Sequence, residues 1–200
     1  MSTDQTTRPL DTETIRTFVI AGHGNLAKVK QMLGEHPKLL NLAHEWSPGD
    51  TETALQGAAH VGSVPVAEYL LGQGAPLDIC TAAMLGRRAD VDRFLDEDRE
   101  QINALGAHGI SLLCHAALSG DVPLVEMLHS RGATGGSDLA LSLAVGKGHV
   151  AMTRWLLQHA SPDLTWKNFQ GKTALESAIA NGNEEIAALL RSHGATSDAD

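Results

Sequence analysis

A glycine recurs along this chain with an apolar residue at a fixed distance on either side. The glycines are Gly24, Gly62, Gly86, Gly120, Gly148 and Gly182. Eight residues after each stands Met32, Leu70, Phe94, Leu128, Leu156 or Leu190, and seven residues before the last five stands Leu55, Ile79, Leu113, Leu141 or Leu175. Two apolar slots on opposite sides of one helix breaker describe a pair of short helices, each with an inner stripe to bury. Such a hairpin cannot bury that stripe alone, so the chain must stack its hairpins. The clearest copy runs from Thr53-Ala54-Leu55 through Ala58-Ala59 to Gly62, then through Leu70-Leu71 to Gly74-Ala75. The threonine opens the first helix, the glycine stops it, and Gly-Ala closes the second. In the first copy Thr12 or Thr14 is expected to cap the opening helix.

The spacing carries a second message. Successive glycines lie 38, 24, 34, 28 and 34 residues apart, alternately long and short. Every second one is nearly even: 24, 86 and 148 differ by 62, while 62, 120 and 182 differ by 58 and 62. The pattern predicts a double-length unit repeated three times. Long junctions near 43–52, 104–110 and 162–172 have room for projecting β-hairpin fingers. The connections at Gly74–Asp78 and Gly132–Asp138 have room only for tight turns.

The unit resembles the ankyrin repeat, which reads T-P-L-H-x-A-A-x-x-G-H, then an apolar second helix, L-L and G-A. The matching residues are Thr53-Ala54-Leu55 with Ala58-Ala59 and Gly62; Ser111-Leu112-Leu113 with Ala116-Ala117 and Gly120; Gly148-His149; and Gly171-Lys172-Thr173-Ala174-Leu175 with Ala178 and Gly182. The resemblance covers residues 11–195, between a leader at 1–10 and a tail at 196–200. It implies an all-α, right-handed ankyrin-repeat solenoid of six helix pairs, arranged as three double-length units. It also implies a non-catalytic module, of adaptor or inhibitor type, that binds another protein through its concave face and fingers. The chain departs from the family in its spacing, against a family period of about 33. It also lacks the proline of T-P-L-H, and the histidine slot holds Gln56, Cys80, Cys114, Ser142 and Glu176. The hydrogen bonds of that histidine must be replaced or absent.

In such proteins the finger tips and the two residues before each anchoring glycine face the partner. Carried onto this chain, the helix positions begin at Gly22 and His23 and include His60, Val61, Met84, Leu85, Leu118, Lys147 and Asn181. The fingers add Trp46, His108, Trp166 and Phe169. Val61, Met84, Leu85 and Leu118 form an apolar middle, which reads either as the centre of an interface or as core closed over by neighbouring repeats. Trp155, beside Leu156, reads as packing.

The remaining chemistry is sparse. A net charge of −9 argues against nucleic acid or an anionic membrane as the partner. Two cysteines are too few for a secreted disulfide scaffold. The start carries no signal-peptide pattern, and no stretch approaches a membrane span. A cytoplasmic monomer is expected. Ten histidines include no His-Glu-x-x-His, and Cys114-His115 diverge by about 100° on a helix. No phosphate loop or nucleophile elbow appears. The expectation is therefore no catalytic residue, no metal and no cofactor. A cryptic small-molecule or metal-dependent enzyme and a self-associating structural protein are the alternatives.

Overall fold

The computed structural model describes residues 10–196, so the leader and tail lie almost wholly outside the described residues. The chain divides into two compact units, one ending at Pro76 and one beginning at Leu77. The first holds α1 (Thr12–Gly22), α2 (Leu26–Glu35), α3 (Ala54–Val61) and α4 (Val64–Gly72). The second holds α5 (Ile79–Met84), α6 (Arg88–Glu97), α7 (Leu112–Ser119), α8 (Val122–Ser130), α9 (Ser137–Gly146), α10 (Val150–His159), α11 (Ala174–Ala180) and α12 (Glu184–Ser192). Consecutive helices pack as hairpins, α1 with α2 through α11 with α12. Within each unit the odd-numbered helices also stack: α1 on α3, then α5 on α7, α7 on α9 and α9 on α11.

Short side chains at the helix ends set these boundaries. Thr53 and Thr173 open α3 and α11 with complete capping boxes, whose returning side chains are Gln56 and Glu176. Two occupants of the vacant histidine slot thus take up local backbone bonds. A third, Cys114, reaches the carbonyl of Gly136, with Sγ at 3.3 Å from the oxygen. The opening cap differs from expectation. The Asp11 carboxylate, not Thr12 or Thr14, accepts from the Thr14 N–H at 2.7 Å, a stronger bond than a hydroxyl would give. At the other end of α3, Gly62 turns left-handed at φ 66° and lets Ser63 N–H return to the Ala58 carbonyl at 2.8 Å. Gly132, at φ 97°, does the same after α8, bringing Ala133 N–H to the Leu128 carbonyl at 3.0 Å and the Ala133 side chain into the core.

The connections between hairpins alternate in length as the spacing predicts. Residues 36–53, 98–111 and 160–173 make long junctions, and 73–78 and 131–136 short ones. Local conformation repeats with them: 3-10 turns at Pro37–Asn41 and Arg99–Asn103 follow α2 and α6 at equivalent places. The fingers themselves differ. Only the first is a β-hairpin among the described residues, β1 (Ala43–Ser47) pairing antiparallel with β2 (Asp50–Thr53) and His44 opposite Glu52. The second makes one bridge, Leu105 with Ser111, around a tight turn at Ala107–Gly109. In the third, Asn168 takes over. Its carbonyl and side-chain oxygen accept from the N–H groups of Gly171, Gln170 and Lys172 at 2.8, 2.9 and 3.1 Å. The Asn168 N–H donates back to the Lys172 carbonyl at 2.9 Å, so the segment closes as a turn held at both ends by Asn168.

The apolar slots are filled as expected at every position but one. Leu55, Ile79, Leu113, Leu141 and Leu175 are buried, as are Met32, Leu70, Leu128, Leu156 and Leu190. Phe94 is only half-buried, with the Arg93 guanidinium 4.4 Å over its ring, and Leu95 beside it takes the core position. Trp155 is packed at 8% exposure.

Cys80 and Cys114 are free and buried in the second unit. Burial, with the charge of Asp78 and the neighbouring Cys114, pushes the Cys80 thiol up to about 12. Burial also raises Cys114, partly offset by the bond from Ser111. The nucleophile is the thiolate, so both should be inert in the folded protein. With a thiol reagent at pH 8, neither cysteine should react on the timescale of a free thiol, and denaturant should release both. Rapid native labelling at either position would contradict the packing described.

Candidate functional site

Three elements of the first unit bring together residues that are far apart in sequence. α1 ends into His23, β2 carries Glu52, and the last turn of α3 carries His60. Glu52 is fully buried, yet it is a carboxylate, so its position depends on polar partners. His60 Nε2 lies 2.8 Å from Oε1 of Glu52, and His23 Nε2 lies 3.4 Å from the same oxygen. The two imidazole Nε2 atoms are themselves 3.0 Å apart. The other oxygen, Oε2, accepts the Trp46 indole N–H at 2.7 Å. Burial raises the pKa of Glu52, but the His60 hydrogen bond, the electrostatic pull of both histidines and the indole bond outweigh it. Together they hold the carboxyl below its ordinary value.

The surroundings fix these orientations. His23 Nδ1 stands 3.0 Å from the Val19 carbonyl, which can only accept, so that nitrogen carries the hydrogen. In the neutral ring the Nε2 lone pair then faces Glu52 and His60. The His23 and His60 rings meet edge to face at 4.8 Å. Gly57, one turn before His60, leaves the space they occupy. A Cβ there would come within 3.0 Å of His23 Cε1 and 3.4 Å of Glu52 Oε1. Side-chain exposure of 29% for His23 and 13% for His60 leaves the cluster open on one side.

The sequence patterns missed this cluster. Residues 23, 52 and 60 belong to no contiguous motif, and β2 becomes their neighbour only when the finger folds back on α1 and α3. A glutamate alternating onto the inner face of a short strand was the one available sign.

The residues expected to meet a partner fall into three groups. Met84 and Leu118 are core, at 1% and 5% exposure, because their helices are packed on more than one side. Their side chains offer no surface, which corrects the reading of an open apolar middle at those two positions. The Leu118 carbonyl accepts from His149 Nε2 at 3.0 Å, so the histidine after one anchoring glycine ties down the preceding inner helix. Trp46, His60, Val61, Leu85 and Trp166 are half-buried. Trp46 is held by Glu52, by the Arg16 guanidinium 5.9 Å from its ring and by edge contact with His44, so it pins its finger. His108, Lys147, Phe169 and Asn181 are exposed, Phe169 at 96%. Phe169 rides on the Asn168-held turn, and His108 sits at the tip of the second finger with φ 58°.

A groove of about 680 Å³ in the second unit is lined by Leu95, Asp96, Arg99, Ile102, Ser130 and Arg131. Its charged residues, Asp96, Arg99 and Arg131, are exposed. No helix among the described residues is long and apolar enough to cross a membrane.

Comparison with known families agrees with the helical hairpins. A family model described as the ankyrin repeat matches residues 50–82, and one described as ankyrin repeats in three copies matches residues 113–200. The matched segments include three of the four glycine-anchored copies that carried the resemblance in full, and they fall in both compact units. Stacked helical hairpins, capping threonines and glycine stops thus coincide with the matches, and the chain belongs to the ankyrin-repeat family.

Proposed function

We propose that this protein is a cytoplasmic adaptor or inhibitor that acts as a monomer by presenting a preformed surface to another protein. Ankyrin repeats are generally protein–protein interaction modules, and the family is typically non-enzymatic. The observation that carries the reading is Phe169. An aromatic ring at 96% exposure has no packing role in its own chain, and it sits on a turn closed by three bonds to Asn168. A rigid aromatic anchor binds with little loss of conformational freedom, and aromatic residues dominate interface energetics. Lys147 and Asn181, at the ends of α9 and α11, and His108 and Trp166 in the fingers add polar and aromatic contacts.

Phe169→Ala tests this. The melting temperature should stay within about 1–2 °C of the parent, as for an exposed side chain outside the core. A partner recovered from the source cell by the parent protein should be lost or weakened at least tenfold. Undiminished binding would remove Phe169 from the interface. Light scattering of the parent protein should give the monomer mass; a dimer that Phe169→Ala dissociates would identify a second copy as the occupant.

A further inference from the structure

We propose that His23, Glu52 and His60 form a binding site for a divalent first-row transition ion such as Zn2+, with at least one coordination position left open. Three observations carry it. The first is the triangle of donors, with sides of 2.8, 3.4 and 3.0 Å. Ligands about 2.1 Å from zinc stand roughly 3.0 Å apart at octahedral angles and about 3.4 Å apart at tetrahedral ones. An ion at that distance from all three atoms would sit about 1 Å out of their plane. No donor has to move more than a few tenths of an ångström.

The second observation is the arrangement of hydrogens. With Nδ1 of His23 donating to the Val19 carbonyl, the neutral ring turns a lone pair inward. It meets a carboxylate oxygen, which can only accept, and the His60 nitrogen. With both rings neutral, as metal binding requires, the His23 lone pair and the Glu52 oxygen face the same point. A cation in the middle would be within reach of all three ligand atoms. The third observation is the outer layer. The Val19 carbonyl orients one imidazole, and the Trp46 indole holds the far oxygen of the carboxylate. Outer bonds of this kind orient metal ligands in general. Two imidazoles and one carboxylate suit zinc, cobalt or nickel better than magnesium or calcium, which prefer oxygen alone. His23 and His60 are each partly exposed, so water or a donor from a bound partner can reach the site to complete the shell.

The rival arrangement is a protonated imidazole doing the same work, and the test separates the two. Full-length protein, stripped with chelator, is titrated with Zn2+ by calorimetry and with Co2+ by visible absorption. The expected result is one ion per chain, a raised melting temperature with Zn2+ and not with Mg2+, and cobalt d–d bands that Zn2+ abolishes. His23→Gln and His60→Gln should each weaken binding at least 100-fold. Trp46→Phe, which removes only an outer bond, should cost about 10–100-fold. Gly57→Ala should weaken binding by crowding His23. Should a variant fail to fold, as judged by circular dichroism, the imidazole nitrogen resonances of the parent protein decide. Zn2+ must shift the Nε2 signals of two histidines and leave the other eight unmoved. Absence of stoichiometric binding, or binding equally tight in the double variant His23→Gln/His60→Gln, overturns the proposal. Neither result bears on Phe169, so the partner reading stands or falls separately.

Discussion

Gly22→Ala should destabilise the first unit severely. Gly22 is the last residue of α1 and is fully packed against the start of α3. A Cβ built on it would stand 2.5 Å from the Ala54 carbonyl oxygen and 2.8 Å from the Ala54 Cα, both backbone atoms that cannot swing aside. The cost is therefore that of overpacking, about 3 kcal/mol, toward the upper end of the usual range. The melting temperature of that unit, which ends at Pro76, should drop by roughly 12–24 °C. Gly34→Ala is the control. Gly34 lies in α2, exposed, and a Cβ there meets nothing within 4 Å. That change should stabilise by about 0.5 kcal/mol through helix propensity alone. Measured by thermal unfolding, the two glycine-to-alanine changes should have opposite signs. Equal, small effects would mean that α1 and α3 are not in backbone contact at Gly22.

The second large effect belongs to the repeated slot after each glycine. Leu128 is completely buried in α8, and truncation to alanine should cost about 2–5 kcal/mol. Phe94 holds the equivalent sequence position in α6 but is half-buried under Arg93, with Leu95 in the core instead. Phe94→Ala should cost about 1 kcal/mol, although phenylalanine is the larger side chain, because much of its surface is already wet. Chemical denaturation of both variants checks the order. A larger loss at Phe94 would return it to the core slot and displace Leu95.

Those two positions show what could be read from the residues and what could not. Glycines and capping threonines act locally, so the helix ends at Gly62, Gly120 and Thr173 were legible, and the alternation of junction lengths followed from counting. The shift from Phe94 to Leu95 was not, because both are apolar, adjacent and compatible with one helix; only the approach of neighbouring helices chooses between them. The fingers were legible as long junctions, and the first forms the expected β-hairpin, but which of the other two would pair as strands was not legible. Asn168 decides the third by hydrogen-bonding its own turn, a choice that depends on side-chain direction. Met84 and Leu118 occupy positions where the family pattern expects surface, and how closely helices close over them is a property of stacking, not of composition. The His23–Glu52–His60 cluster was least visible, since it exists only after two helices and a strand meet.

The alternation of long and short junctions also bears on how this chain can be rebuilt. Removing one helical hairpin would splice a junction made for an extended finger onto one made for a tight turn, and the new joint would match neither flank. Removing or inserting a 62-residue cassette keeps like joints facing like. The smallest interchangeable part of this protein is therefore a tandem of two hairpins, and any shortened or lengthened version, natural or designed, should grow in steps of that size.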